Sequence, residues 1–238
     1  MPEMEVTSKA GGAHALDDVI WNALTGKQHG FAVGSERALR FMSPVAPFTA
    51  MVDTSPASFD ALRELIDEHG PVALATVQAV EPDASFSIVR QASLLQMVWQ
   101  RDSVPSPALE YLNLDERDVP EMLALTATTQ PGPFGPRTIE LGDYLGIRKE
   151  GKLAAMAGER MKIDGYTEVS AVCVDPAFRG QGLAAGLMKR LIEAICARGE
   201  TPFLHVLASN PGALAIYRAM GFVERRELHL MVLERAPR

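Results

Sequence analysis

The sequence predicts an α+β fold, and three observations carry that prediction. Residues 143–174 read as three successive strands, with turn signals at Lys149-Glu150-Gly151 and Asp164-Gly165. Beyond them, strand and helix patterns alternate to the C-terminus. The helical segments carry apolar stripes at i, i+4 spacing, clearest in Leu183, Leu187, Leu191 and Ile195. A meander followed by that alternation is an α+β layout over residues 109–238.

The elements follow in chain order. Residues 1–14 are small and polar and read as a disordered N-terminus. Leu16, Ile20 and Leu24 form one stripe of a helix over 15–30. Segments 38–44 and 47–53 read as short strands. In the helix at 54–71, Ser55 is placed to cap, Pro56 suits the first turn, and Gly70-Pro71 ends it. Segments 72–77 and 87–99 are further strands, so 15–100 is a mixed α/β lobe without a chemical motif. Residues 101–108, with two prolines and two serines, read as a linker. A strand at 109–116 follows, then a helix at 118–130 with capping-box spacing between Asp118 and Glu121. Residues 131–142 are rich in Pro and Gly and read as a loop. After the meander come a helix at 182–198, a strand at 201–208 and a short helix at 210–221. Asn210 caps that helix, Pro211 opens it and Gly221 closes it. A strand at 225–235 ends the chain.

Composition sets outer bounds. The 238 residues carry a formal net charge of −7, from 23 basic and 30 acidic side chains. That balance argues against nucleic acid as a partner, because Lys and Arg supply most of its affinity; it is compatible with a cationic substrate. Cys173 and Cys196 are the only cysteines, and neither a disulfide framework nor a metal-ligand cluster is expected from them. Both read as buried, reduced thiols. The N-terminus lacks signal-peptide features and no apolar run approaches a transmembrane helix, so no membrane partner and a cytoplasmic location are expected.

The chemistry concentrates in "VCVDPAFRGQGLAAG", residues 172–186. A Walker P-loop needs GxxxxGK[ST], and no lysine stands where that pattern requires one. A dinucleotide fingerprint needs GxGxxG directly after its strand, followed by an acidic residue about 20 positions on. Here the glycine spacing is one residue too long, "DPAFR" intervenes, and Glu200 precedes the next strand instead of ending it. The remaining reading takes Arg179, Gly182 and Ala184 as a unit. Small residues at a helix N-terminus let a pyrophosphate approach unpaired amides and the positive end of the dipole.

That unit resembles the [QR]xxGx[GA] pattern of the GNAT superfamily of acetyl-CoA-dependent N-acyltransferases. The lead-in "VDPAFRG" and the downstream Asn210, Tyr217 and Gly221-Phe222 are similar to the family as well. The element order from Leu109 onward resembles the complete family topology. Segment 131–161 resembles a bacterial subgroup, and residues 15–100 resemble the degenerate acetyltransferase-like half of some two-lobed members. The resemblance implies a mixed, mostly antiparallel central sheet flanked by helices, with the catalytic unit at 109–238. It implies acetyl-CoA as acyl donor and direct attack by a primary amine of a small molecule, a peptide or an amino terminus. No metal is implied, and the assembly is expected to be a monomer or homodimer.

Residue roles follow from the same resemblance. Val172, Cys173 and Val174 would pair with the pantetheine arm through their backbone. Arg179, Gly180, Gln181, Gly182, Leu183 and Ala184 would hold the pyrophosphate, and Asn210 would contact the pantetheine. Glu168 is the expected base and Glu159 its rival; Tyr217 is the expected acid. Their plain alternatives are an exposed strand glutamate and a core tyrosine. Cys173 reads as a structural thiol, His205 as a satisfied interior histidine, and Gly186 as a packing residue. The competing function, from another class, is a non-catalytic acyl-CoA sensor or interaction module that keeps the fold.

Overall fold

Two of the helices in this chain, those beginning at Pro56 and Pro211, follow residues whose side chains satisfy a free amide. The structure, a computed structural model, describes residues 14–101 and 109–237. The N-terminus expected to be disordered and the expected linker lie, except for His14 and Arg101, outside the described residues. Helix α1 (Val19–Thr25) is shorter than its stripe suggests and is followed by a separate 3-10 turn at His29–Phe31. Strands β1 (Ala32–Gly34), β2 (Ala38–Phe41) and β3 (Thr49–Met51) form a small antiparallel sheet. Ser55 caps α2 (Pro56–His69), its hydroxyl accepting from the Ser58 amide at 3.4 Å.

Strands β4 (Val72–Thr76), β5 (Phe86–Trp99) and β6 (Leu112–Asn113) follow, then α3 (Val119–Thr129). The strand expected at 109–116 is cut short because Asp115 and Asp118 cap a 3-10 turn reciprocally. The capping box therefore lies one turn ahead of the expected one. Glu121 instead accepts from the Leu153 amide and from Arg148. The meander is β7 (Tyr144–Lys149), β8 (Lys152–Ile163) and β9 (Tyr166–Val174). Helix α4 (Leu183–Ala197), β10 (Thr201–Leu207), α5 (Pro211–Met220) and β11 (Phe222–Arg235) complete the chain.

The main sheet has eight strands in the order β4-β11-β5-β10-β9-β8-β7-β6. Only β9 and β10 pair in parallel among the described strands. Helix α4 covers one face, burying Leu187, Leu191 and Ile195 with Met97, Ala155 and Leu204. The other face holds α1 over Phe48, Met161 and Phe203, and α3 over Tyr144, Met156 and Cys173. Gly186 serves packing: a Cβ there would stand 2.5 Å from the Leu109 side chain. Cys173 is buried as expected, but Cys196 is exposed on α4, off its apolar stripe.

The sheet crosses the boundary expected at 101–108. Within residues 109–238 β10 and β11 do not pair; β5, from the N-terminal half, lies between them. It pairs with β10 over Val98–Leu94 and with β11 over most of its length. A fragment spanning 109–238 is expected to show no cooperative thermal transition by circular dichroism, whereas the full chain melts as one unit. A folded fragment with a sharp transition would mean that β5 is dispensable.

Candidate active site

The site begins where two parallel strands part. β9 and β10 pair only through Tyr166–Glu168 and Thr201–Phe203, and then diverge. Two bulges accompany the parting. On β9, Ala171 and Val172 together face the single residue between Met156 and Gly158, and Ala171 takes φ +52°, a left-handed conformation that costs an alanine about 1–2 kcal/mol. On β8, Arg160 and Met161 together face Glu168. Beyond Glu168, the β9 backbone therefore has no strand partner on its β10 side.

At the end of β9 the chain turns into α4. Asp175 holds the turn, accepting from the Ala177 amide at 2.8 Å. Arg179 reaches back, its Nε donating to the Val174 carbonyl at 3.4 Å. Gly180 and Gly182 have φ of +77° and +72°, and a Cβ at either would meet open space. Backbone conformation, rather than room, calls for glycine there. No side chain caps α4, so its first amides are open beside an exposed Gln181. Leu183 turns into the core and Ala184 is half-buried.

The parted strands open into a cavity of about 850 Å³. Val172, His205, Leu207, Asn210, Ala213 and Tyr217 form one wall; Leu123, Gln130 and Phe134, from α3 and the loop after it, form the opposite wall. The floor is N-terminal as well as C-terminal: Phe48, Ala73 and Arg90 join Leu230 and Val232. Asn210 caps α5 through its side-chain oxygen, accepting from the Ala213 amide at 3.1 Å. Its side-chain NH2 remains available to a ligand. Tyr217 is half-buried, its ring edge-on to Phe222 at 6.2 Å. Burial pushes its phenol up to about 12, so it carries its proton at neutral pH.

The two carboxylates expected as bases are elsewhere. Glu168 is fully buried and does not line the cavity. It grips Arg160 at 2.9 and 2.6 Å and accepts from His205 Nδ1 at 2.8 Å. Burial pushes its carboxyl up, but the Arg160 charge, helped by His205, prevails and holds it at about 2. Glu168 is thus placed as the counter-ion of Arg160 and not on the cavity lining, where the role of base expected for it would be exercised. Glu159 faces away, toward Arg198 at 2.6 Å and Lys162 at 2.7 Å. His205 is satisfied at both nitrogens. Nδ1–H donates to Glu168, and Nε2 accepts from the Gln96 amide at 3.0 Å. Arg225 donates to the Gln96 oxygen at 2.7 Å and Leu16 accepts from its nitrogen, which fixes the amide's orientation. Burial also raises the Cys173 thiol to about 11, keeping it out of nucleophilic chemistry.

Arg160 and Gln96 had no place among the expected site residues. The signal for Arg160 was the Glu159-Arg160 pair inside the apolar run of β8, since charge at mid-strand implies a buried partner. Nothing in the sequence distinguishes Gln96.

Comparison with known proteins bears on the whole arrangement. The family described as FR47-like protein matches residues 144–230. The [ribosomal protein bS18]-alanine N-acetyltransferase of Escherichia coli K12 is 31% identical over 118 residues, 47% of this chain and 79% of that protein. The N-alpha-acetyltransferase RimI of Mycobacterium tuberculosis is 39% identical over 85 residues, 33% of this chain and 51% of that protein. A crystal structure from Novosphingobium aromaticivorans, described as a GNAT-family acetyltransferase, superposes with a TM-score of 0.86 at 38% identity. It covers 94% of this chain and 100% of its own, so both halves are matched. A GCN5-related N-acetyltransferase from Kribbella flavida shares the fold at TM-score 0.62 and 17% identity, covering 93% of this chain and 94% of its own.

The Glu168 carboxyl lies at about 2 in the folded protein, against an ordinary 4.5. A depressed carboxylate stabilises the fold above its unfolded value, and that stability is lost as pH falls through the folded value. Glu168→Gln is expected to lower stability at pH 7 by about 3 kcal/mol, because Arg160 then stays buried without its counter-charge. Urea melts should also fall less steeply between pH 4.5 and about 2 in the variant than in the parent chain. An equally steep fall in both would remove the ion pair from this role.

Proposed function

The chain belongs to the GNAT superfamily of acetyltransferases, and we propose that it moves the acetyl group of acetyl-CoA onto the α-amino group of a small molecule or an amino terminus. The observation that carries the reading is the parting of β9 from β10 beside the uncapped N-terminus of α4, opening onto one cavity with Tyr217 and Asn210 on its wall. GNAT acetyltransferases use acetyl-CoA, and the residues here fit it. The amides at the start of α4 and the Gly180–Gly182 turn suit a pyrophosphate, with Arg179 adding charge. The free backbone edge at Val172–Val174 suits the pantetheine arm, with Asn210 donating from its amide. When bound, acetyl-CoA supplies the acyl group as an activated thioester.

The protein's own side chains handle the protons. Tyr217, protonated at neutral pH, is the donor to the departing thiolate. On the acceptor side, no carboxylate lines the cavity among the described residues, and both His205 nitrogens are engaged. The acceptor therefore reacts from its free-amine form, giving its proton to cavity water. That favours amines already part-deprotonated near neutrality. An α-amino group, with a pKa near 8, is free about 250-fold more often than a lysine-like amine near 10.4. Backbone N–H groups of the parted strand stabilise the developing oxyanion.

Titration calorimetry with acetyl-CoA is the primary test; no heat at millimolar cofactor would overturn the proposal. Tyr217→Phe is expected to slow turnover about 100-fold with unchanged acetyl-CoA affinity. Across amines of different basicity, the rate should rise with pH along each acceptor's own titration, and a peptide bearing a lysine should gain its acetyl group at Nα. Cofactor binding without turnover on any amine would favour a non-catalytic sensor.

A further inference from the structure

The cavity is larger than a small amine needs, and its charge is one-sided. The chain has 30 acidic residues, yet among the described residues none lines this cavity. Its permanent cations are Arg160 and Arg90. The Arg160 charge is taken up by Glu168. Arg90 is exposed, and no ion pair or hydrogen bond engages it among the described residues. The arginines of the neighbouring strand β11, Arg225, Arg226 and Arg235, all have a carboxylate. Arg90 is therefore a cation held open at one end of an otherwise acid-free chamber.

Its position follows from the sheet register. His205 pairs with Gln96 on β5, and Leu207 pairs with Leu94. Continuing along the same face of β5 leads to Arg90, opposite Val232, which also lines the cavity. Six strand positions separate Gln96 from Arg90, a distance of about 20 Å along the strand. The reach of the arginine and of an acidic side chain on the ligand leaves about 15–20 Å for a backbone to span. This end is also remote from the pyrophosphate site. Leu204 and Val206 belong to the cluster under α4, and the alternating His205 and Leu207 turn to the cavity face with Arg90.

An amine at the parted strands and an anion at Arg90 are thus about 15–20 Å apart, the span of four to six extended residues. A free amino acid places its two charges too close together to use both ends. We propose that the acceptor is an extended amino-terminal peptide segment carrying an acidic side chain at about its fifth residue, which Arg90 recognises. This rests on the α-amino acetyl-transfer reading and narrows its substrate. Pro47, Pro71 and Pro131 stiffen the rim, so the channel is shaped before the peptide arrives. A basic amino-terminal segment meets no counter-charge on these walls. The overall negative charge, which alone suits a cationic substrate, is carried on other surfaces.

The test uses the full chain and hexapeptide amides with a free amino terminus and Glu, Lys or Ala at the fifth position. A further peptide carries Glu at the second position. Two readouts are taken: acetyl transfer by mass spectrometry, and affinity of dye-labelled peptides by anisotropy with coenzyme A present. The fifth-position Glu peptide is expected to bind, and to be acetylated, about 10-fold better than the Lys peptide. The second-position Glu should give no gain. Arg90→Ala should level the series, and Arg90→Glu should invert it; the site is exposed, so both variants fold. Equal affinities across the series overturn the inference, as does a Glu preference that survives Arg90→Glu. Affinity decides it even if no peptide is acetylated, an outcome that would instead sink the transfer reading.

Discussion

The buried ion pair between Glu168 and Arg160 is the contact on which the site's geometry depends. Both groups are out of solvent, and two short hydrogen bonds join them. Taking two charges out of water is costly, and only close, fully bonded geometry recovers the cost. The pair occupies the β8 bulge, at the last residue of β9 that still pairs with β10. It therefore fixes the point from which the two strands separate. It also orients His205 on the cavity wall, and through Arg160, which lies 4.6 Å from the Phe48 ring centre, it reaches the N-terminal half.

That reach matters because the C-terminal half does not complete the sheet by itself. β5 fills the gap between β10 and β11, so the cavity floor is made from strands far apart in sequence. The Gln96 amide, anchored by Arg225 and the Leu16 carbonyl, joins the segment before α1 to β5, β10 and β11 in one polar network. Asp17 pairs with Arg225 at 2.7 Å and extends the network to the start of α1. Such networks hold their geometry when every member is satisfied, as here. The N-terminal half thus contributes part of the cavity floor and, among the described residues, the one cavity cation without an ion pair.

A glutamate that neutralises a buried arginine is held ionised by that charge. The cavity is left with Tyr217, held protonated by burial, and with a histidine already bonded at both ends. On the proposed reading, selectivity for the acceptor rests on the acceptor's own basicity and on where its charges fall along the sheet. Acyl transfer needs little more when the donor is already activated and two parted strands align it.

Much of this protein was legible in the sequence. Local chemistry specifies local structure, so Ser55, Asn210, Gly221 and the Gly180–Gly182 turn announced their helix ends. The stripe of α4, the meander, and the residues around Arg179 announced the family. Glu168, Tyr217 and Asn210 were each visible as chemistry-bearing residues. Strand pairing across the sheet was not legible, because a strand's own pattern states which face is buried and not which strand lies beside it. The insertion of β5, the partners of Glu168 and the alignment of Arg90 with His205 are all facts of register. Only the folded sheet decided whether Glu168 would be a base or a counter-ion, since that depends on the charge placed 2.6 Å away by another strand.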